Sequence, residues 1–409
     1  MRTHYTALLL ALATPLLLNA QKAYIPNGGD DLAIVDVATN TITGTISTPA
    51  GSGPVGVVFS ADGQRACIAN YGGNTVSIVD VPNDAILTTI PAGVSPQNAV
   101  FTADGSTLYV VSSGDNSVLA IDAATYTTSA TITVGQFPIG IALTPDGSTL
   151  YVANSAFGET TVSVISTATN TVTGTITVGD TPTDIRLSPD GSLAYVSNNG
   201  ANTVSVISTA TNAVTATIPV GAGPSNMAIH PNGTELYVSN VLDNHVSVVS
   251  TTTNAVIDSI PGIEFALGLA ITPDGTTLWA LTPFSAAAAV ASTATRTVET
   301  TLPMSFPNAI GNFINGVDLT AGISSAAPVA IEAEVFPNPF TAQATVRTGQ
   351  ELRGAAITTV DAMGRIVREQ GNISGRQWQL DRDGLASGLY TVRIAQPGSP
   401  VTTVKVTIE

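Results

Sequence analysis

The sequence has a single cysteine, Cys67, so no disulfide can form within its 409 residues. A chain without disulfides depends for its stability on the size and closure of its hydrophobic core. Cys67 occupies a strand position that Tyr or Trp fills in other repeats, which predicts a buried structural thiol. Charged residues make up only 10% of the chain, and this disfavours long amphipathic helices and favours strands and turns.

Basic residues are also scarce, with 13 Lys and Arg against 29 Asp and Glu, and the net charge is −16. Binding of nucleic acid requires clustered Lys and Arg, so the charge excludes a nucleic-acid partner. The excess of acid lies almost entirely in residues 21–330, whereas residues 331–409 hold acids and bases in equal number. This difference predicts two domains of different character.

Histidine is limited to His4, His230 and His245, too few for a haem, copper or zinc centre. The sequence also has no Gly-x-Ser-x-Gly elbow, phosphate-binding loop or dinucleotide fingerprint, so we predict no cofactor. Calcium is an alternative to the absence of any cofactor, with oxygen ligands in the acidic loops Asn27–Asp31 and Asp243–Asn244. Turn formation explains those loops better, because Asp and Asn favour turns for their own hydrogen bonds.

The first 20 residues resemble a secretory signal peptide. Arg2 provides a basic start, residues 7–18 form an apolar run, and Leu18-Asn19-Ala20 resembles a cleavage site. We therefore expect cleavage between Ala20 and Gln21. The apolar run is shorter than the ~20 residues of a membrane-spanning helix, and no other segment is apolar enough for one.

One turn recurs along the chain at a nearly constant spacing. It lies at Asp62-Gly63, Asp104-Gly105, Asp146-Gly147, Asp190-Gly191, Asn232-Gly233 and Asp274-Gly275. A proline precedes the first five turns by eight residues, and strand-forming residues follow all six. Each unit accommodates four short strands, A to D, and such a repeat is typical of a β-propeller blade.

The two ends of the repeated region determine the number of blades. Ala23-Tyr-Ile-Pro-Asn27 matches a strand B that lacks a strand A before it. Pro307 to Gly316 repeats the proline-to-turn spacing of a strand A but has no complete strands B to D after it. Pairing of these two pieces predicts a closed ring of seven blades over residues 21–316, without exposed sheet edges.

The segments Leu150-Tyr-Val-Ala-Asn154 and Ala194-Tyr-Val-Ser-Asn198, with their Asp-Gly turns, resemble the YVTN-type β-propeller repeat. The resemblance covers residues 23 to about 316. It implies the propeller fold but not one activity, since similar repeats occur in surface-layer proteins, adhesive proteins, lactonases and redox propellers.

Residues 317–330 are rich in Ala, Ser and Gly and are predicted to be a linker. Alternating apolar and polar residues in 331–409 then predict a small Ig-like β-sandwich of six or seven strands. Val335-Phe-Pro-Asn-Pro-Phe340 and the later Leu385-Ala-Ser-Gly-Leu-Tyr390 resemble the type A C-terminal sorting domain of the Bacteroidetes type IX secretion system. The resemblance implies that this machinery is a partner and that the protein is secreted or held on the exterior face of the outer membrane.

Four polar residues depart from the repeat in strand A and are the candidate ligand-binding residues. Asn98, Asp184 and Asn226 occupy a slot that Gly fills in other blades, and Arg186 lies where other blades have Val or Ala. Because strand A is innermost in a propeller, these side chains would lie near one mouth of the central channel. A local Asp184–Arg186 pair that merely fills space is the competing interpretation.

Three functions remain open from the sequence. The favoured one is a binding module for an unknown protein or glycan, because no catalytic constellation is present. The alternative is a secreted hydrolase, similar to lactonases, with a channel-mouth site that uses Asp184 and Arg186. A surface-layer or matrix subunit is the third.

Overall fold

The computed structural model describes residues 21–315, 333–336, 338–361, 366–395 and 402–408. The chain divides into two compact units between Ser324 and Ser325. The predicted signal peptide with Ala20, the predicted linker 317–330 and Gly316 lie outside the described residues. Within the described part, no helix is long and apolar enough to cross a membrane.

The first unit consists of strands and two short 3-10 turns, Ser113–Asp115 and Pro283–Ser285. The strands are β1 (Lys22–Pro26), β2 (Asp31–Asp36), β3 (Thr41–Ser47), β4 (Pro54–Phe59), β5 (Arg65–Asn70), β6 (Thr75–Asp80), β7 (Ala85–Pro91), β8 (Pro96–Phe101), β9 (Thr107–Ser112), β10 (Ser117–Asp122), β11 (Thr127–Thr133), β12 (Pro138–Leu143), β13 (Thr149–Asn154), β14 (Thr161–Ser166), β15 (Thr171–Thr177), β16 (Pro182–Leu187), β17 (Leu193–Asn198), β18 (Thr203–Ser208), β19 (Ala213–Pro219), β20 (Pro224–Ile229), β21 (Glu235–Asn240), β22 (His245–Ser250), β23 (Ala255–Pro261), β24 (Gly268–Ile271), β25 (Thr277–Thr282), β26 (Ala287–Ser292) and β27 (Thr297–Pro303).

These strands form six four-stranded antiparallel sheets and one three-stranded sheet, β1–β2–β3. The end of the unit completes the three-stranded sheet, because residues 307–315 lie along β1. The Tyr24 N–H donates to the Phe313 carbonyl at 2.9 Å, and Ala23 and Ile314 form an antiparallel bridge. The predicted closure is thus confirmed, and the unit is a seven-bladed β-propeller.

The Asp-Gly turns form as predicted, and their side chains fix the turn geometry. In the turn between β12 and β13, Asp146 accepts hydrogen bonds from the Thr144 hydroxyl at 2.6 Å and the Ser148 N–H at 3.0 Å. Gly147 has a φ of +71°, which a residue with a side chain adopts only with strain. These hydrogen bonds hold the pKa of the Asp146 carboxyl below its ordinary value.

The hydrophobic core lies between neighbouring blades, where buried strand residues from adjacent sheets pack together. Tyr24, Tyr151, Tyr195 and Trp279 are at most 1% exposed and occupy the same position in strand B of their blades. Cys67 takes this position in β5 and is buried, as predicted. Burial raises the pKa of its thiol, so the thiol is kept protonated and unreactive.

The described residues of the second unit form five strands, β28 (Ala333–Phe336), β29 (Gln343–Asp361), β30 (Ile366–Asp381), β31 (Gly388–Ala395) and β32 (Thr402–Ile408). The sheet order is β28–β29–β31–β32, and β30 pairs with β29. The register of β29 shifts repeatedly between Arg347 and Ile357, so its first part pairs with β28 and its last part with β31. Phe340 pairs with Ile408, which brings the two ends of the sheet together around a buried core. Long bent strands thus replace several of the shorter strands expected from the sequence.

Candidate functional site

The inner strands β4, β8, β12, β16, β20 and β24 contact one another in sequence around the ring and enclose its central channel. A cavity of about 140 Å³ lies where five of the seven blades start their inner strands. Its lining residues are Ile139, Thr183, Asp184, Ser225, Asn226, Leu267, Asn308 and Ile310. The polar residues come from β16, β20 and residues 307–310, and the aliphatic ones are Ile139 of β12, Leu267 just before β24, and Ile310.

Three of the four predicted site residues form one buried network beside this cavity. Arg186 Nε donates to Asp184 Oδ2 at 3.0 Å, and an Arg186 Nη donates to Asn226 Oδ1 at 3.1 Å. The Met227 N–H of the next blade also donates to Asp184 Oδ2, at 2.9 Å. The network therefore joins β16 to β20 and fixes the carboxylate of Asp184 at the wall of the cavity.

Burial dominates the electrostatics of Asp184, whose side chain is only 4% exposed. Desolvation raises the pKa of the Asp184 carboxyl above its ordinary value of 3.8. The positive charge of Arg186 and the Met227 N–H oppose this effect without cancelling it. A carboxylate of this kind carries its charge at neutral pH at a cost in stability.

Asn98, the fourth predicted residue, is buried but shares no hydrogen bond with the other three. Its Oδ1 accepts from the N–H of Ala99 at 2.9 Å. A Cβ on Gly311 would lie 3.0 Å from the same oxygen, so Asn98 fills the space that Gly311 leaves open. The structure thus brings together Asp184, Arg186 and Asn226 and places Asn98 elsewhere along the channel.

Glycine in the equivalent slot of other blades has a packing reason. A Cβ on Gly56 would lie 2.1 Å from the Gln97 carbonyl oxygen, and one on Gly268 would lie 2.5 Å from the Ala309 carbonyl oxygen. The inner strands approach most closely at these points. Asp184 and Asn226 fill this slot in β16 and β20, where Arg186 and the Met227 N–H are their polar partners.

Three polar residues of the cavity were not predicted: Thr183, Ser225 and Asn308. Each directly follows the proline that begins an inner strand, so comparison of that position across the blades would have found them. The Thr183 hydroxyl bonds to the Ser197 hydroxyl at 2.9 Å, and the Ser197 hydroxyl donates to the Ser225 carbonyl at 2.6 Å. These contacts join the two blades that carry the buried network.

The loops at this end of the ring carry large exposed apolar side chains. We call this end the mouth face; it comprises loops 27–30, 71–74, 113–116, 155–160, 199–202, 241–244 and 283–286 within blades and loops 48–53, 92–95, 134–137, 178–181, 220–223, 262–267 and 304–306 between blades. Its exposed apolar residues are Tyr71, Val94, Phe137, Phe157, Leu242, Phe284 and Phe306. The opposite end, the turn face, presents the Asp-Gly turns and the Thr- and Asn-rich turns.

A larger cleft of about 290 Å³ lies on the turn face between the turns that follow β16 and β20. Its polar groups are already used within the turns, since Asp190 accepts from the Ser188 hydroxyl at 2.6 Å and the Ser192 N–H at 3.0 Å. The cleft therefore offers fewer free groups to a ligand than the mouth cavity does.

The described residues contain no group of three or more His, Cys, Asp or Glu side chains placed to hold a metal. In the candidate calcium loop, Asp30 accepts hydrogen bonds from the N–H groups of Gly51 and Gly53 at 2.7 and 3.1 Å. In the other candidate loop, Asp243 accepts from the Ala222 N–H at 2.5 Å. Both carboxylates therefore fasten a loop within a blade to a loop between blades.

Comparison with known proteins agrees with the two units. The family model of the secretion system C-terminal sorting domain matches residues 334–409. The family model described as a lactonase with a seven-bladed β-propeller matches residues 21–175. A second match of the same model covers residues 86–216 and overlaps the first. No curated protein matches the chain.

Two solved structures illustrate the fold. Hydrazine synthase from Kuenenia stuttgartiensis is similar with 25% identity and a TM-score of 0.55, over 62% of this chain and 80% of that chain. A protein of unknown function from Desulfotomaculum acetoxidans is similar with 16% identity and a TM-score of 0.63, over 71% of this chain and 98% of that chain. The chain is therefore a secreted or cell-surface protein made of a seven-bladed β-propeller and a C-terminal sorting domain of the type IX secretion system.

Proposed function

We propose that the propeller is a binding module and that its ligand enters the cavity at the mouth face. The supporting observation is the buried Asp184–Arg186–Asn226 network, which holds a carboxylate and an amide at the wall of the cavity. A buried ion pair adds little to stability compared with apolar residues of similar size. Its presence at strand positions that Gly, Ala or Val fill in most other blades therefore favours a role in recognition.

The chemistry of the cavity favours a neutral polar group. Arg186 balances the charge of Asp184, and the hydroxyl and amide groups of Thr183, Ser225, Asn226 and Asn308 lie around it. Such groups donate and accept hydrogen bonds, as a sugar hydroxyl or an amide requires. The ligand class is thus a glycan or the polar side chain of a partner protein.

The volume of the cavity limits how much of the ligand enters. About 140 Å³ corresponds to roughly five water molecules at ~30 Å³ each. Pockets that enclose whole small molecules measure about 300–1,000 Å³. The cavity therefore accepts one end or one residue of a larger molecule, while the rest of that molecule contacts the surrounding loops.

The test is a screen of the intact secreted protein against glycan and peptide arrays, followed by a cavity-filling variant. Ser225→Met places a larger apolar side chain in the cavity, and Val55→Met makes a similar change at the same strand position outside it. We expect Ser225→Met to lose the ligand and Val55→Met to keep it. The proposal fails if no array component binds, or if both variants bind equally well.

Lactone hydrolysis is a second candidate, supported by the match to the lactonase family model. Asp184 is the only carboxylate that lines the cavity, and a raised pKa suits a group that takes and returns a proton. In this case Asp184→Asn, which keeps the shape of the side chain, would lower the rate with a panel of lactones by roughly 100-fold or more. Absence of turnover by the unmodified protein would eliminate the candidate, and metal analysis of the purified protein would detect a bound metal.

A further inference from the structure

Three phenylalanines form an exposed cluster on the mouth face. The Phe265 and Phe284 rings meet edge to face with centroids 4.7 Å apart, and the Phe284 and Phe306 rings do so at 5.8 Å. Phe284 is 70% exposed and Phe306 is 43% exposed. The three rings come from loops 262–267, 283–286 and 304–306, and we call them the phenylalanine cluster.

Phe265 lies at a loop position where the propeller requires a left-handed backbone. It has a φ of +47°, a conformation that strains a residue with a bulky side chain. The backbone is also left-handed at the equivalent position of other blades, at Gly53 and Gly223 and likewise at Phe137. Phe284 lies on the surface and does not contribute to a buried core, so core packing does not explain the cluster.

Carboxylates flank the cluster on two sides. Glu264 precedes Phe265, is exposed, and accepts a hydrogen bond from the Ser285 hydroxyl at 3.1 Å. On the other side, a Cβ on Gly28 would lie 3.3 Å from the Phe306 Cβ, and the loop of Gly28 continues into Asp30 and Asp31. Asp31 is exposed.

No basic side chain of the described propeller is placed to neutralise these carboxylates. Lys22 bonds to Asp84, and Arg296 bonds to Glu235 and Asp258, all near the turn face or the outer strands. Arg65 donates to the carbonyls of Gly105 and Ala123, and Arg186 lies buried in its own network. The mouth face therefore has an uncompensated negative charge around an aromatic surface.

We propose that the phenylalanine cluster, with Glu264 and Asp31, binds a Lys- or Arg-rich segment of a partner protein. The faces of aromatic rings attract a cation, and flanking carboxylates attract it further. The same charge repels nucleic acids and anionic lipid surfaces, while a neutral glycan would gain nothing from it. The inference rests on the proposed function as a binding module, and it adds the class of partner that would cover the mouth face.

The test uses the full secreted chain and fluorescein-labelled decapeptides of alternating Arg-Gly, Lys-Gly and Glu-Gly. Fluorescence anisotropy measures affinity at low and high salt. We expect the two basic peptides to bind, with affinity that falls as salt increases, and the acidic peptide not to bind. Phe284→Ala should weaken binding at least tenfold, whereas Leu87→Ala, which removes an exposed apolar side chain of β7, should not.

A matched pair of double variants separates a local site from general attraction by net charge. Asp31→Asn with Glu264→Gln removes two charges beside the cluster, and Asp36→Asn with Glu299→Gln removes two elsewhere. We expect the first pair to weaken binding about tenfold and to flatten its salt dependence, and the second to change it little. Equal loss in both pairs, or full binding by Phe284→Ala, overturns the inference.

The same measurements distinguish this inference from the proposed function. Basic peptides that bind unmodified protein and Ser225→Met equally well, but not Phe284→Ala, support the phenylalanine cluster and count against the cavity. If basic peptides do not bind while an array ligand is lost in Ser225→Met, the cavity proposal stands and the cluster inference fails.

Discussion

Replacement of Arg186 by Met should destabilise the propeller strongly at neutral pH. The substitution removes the positive charge 3.0 Å from Asp184 Oδ2 and leaves the buried carboxylate with the Met227 N–H as its remaining partner in this network. Loss of one partner of a buried ion pair costs about 3–5 kcal/mol. Methionine is unbranched and fits the volume of the arginine stem, so the loss reports the charge rather than a cavity.

The effect should depend on pH in a defined direction. Because burial raises the pKa of Asp184 above 3.8, the folded propeller binds the proton more tightly than the unfolded chain does. Stability from this group is therefore present at low pH and is lost as the pH rises from 3.8 through the raised pKa. Without Arg186 this pKa rises further, so the cost of Arg186→Met should grow towards neutral pH by at most about 1.4 kcal/mol per pH unit.

Denaturant unfolding followed by tryptophan fluorescence measures this effect in the full chain. Trp279 is fully buried in the propeller, and a Trp378→Phe background removes the signal of the second unit. Asp184→Asn should remove the pH dependence that this carboxyl contributes above 3.8, and the double variant Asp184→Asn with Arg186→Met should recover most of the stability. The reasoning would be refuted if Arg186→Met lost the same free energy of unfolding at about pH 5 and at about pH 8. Absence of rescue by Asp184→Asn would refute it as well.

Three further predictions concern the ring itself. Gly56→Ala should destabilise the propeller, because the added Cβ would lie 2.1 Å from a carbonyl oxygen of the next inner strand. A Cβ on Gly174 would meet nothing within 4 Å, so Gly174→Ala should be tolerated. Thermal unfolding of the two variants measures the difference. Ile314 is 1% exposed in the closing segment, so Ile314→Asp should lower the free energy of unfolding by more than about 3 kcal/mol and increase proteolysis. Ile42→Asp, on an outer strand where Ile42 is exposed, should have little effect on either. Burial raises the pKa of Tyr195 from 10.0 to about 12, so its contribution to stability should be kept up to pH 10.0 and lost as the pH rises through that range. Tyr195→Phe should reduce the loss in alkaline unfolding but not remove it, because burial also raises the pKa of other tyrosines such as Tyr151.

The propeller could be predicted from the sequence because its determinants are local and repeated. Pro96, Pro138, Pro182 and Pro224 each begin an inner strand, as the spacing indicated. The closing segment was also predictable. The sequence from Pro307 to Gly316 has the spacing of an inner strand without its blade, and the blade that starts at Ala23 lacks an inner strand. The second unit was less regular, because the bend within β29 depends on packing against distant strands rather than on a local turn signal.

The candidate site was only partly predictable. Asp184, Arg186 and Asn226 stood out because they break the repeat, and the structure joins them through hydrogen bonds. Asn98 breaks the repeat in the same way but fills space beside Gly311, a residue whose position depends on ring closure. The pattern therefore identifies a departure from the repeat, while the neighbouring blade decides whether that departure forms a network.

The phenylalanine cluster could not be predicted, because its members lie about 20 residues apart and only the ring brings them together. Phe265, Phe284 and Phe306 belong to different loops, and nothing in their local sequence indicates a shared surface. Each resembles an isolated exposed apolar residue, which is common on protein surfaces.

Two features that reduce stability lie at the same end of the ring. One is the carboxylate of Asp184, which burial makes costly to ionise, and the other is the strained backbone of Phe265. The described aspartates of the Asp-Gly turns on the turn face carry no such cost, since their own turns stabilise them, as in Asp146, although Tyr126 and Arg296 there also have a positive φ. Local features that oppose stability persist where they serve function, because most other positions of a repeat conform to the pattern that folds best. The proposed binding at the mouth face gives the costly Asp184 carboxylate and the Phe265 side chain a common role.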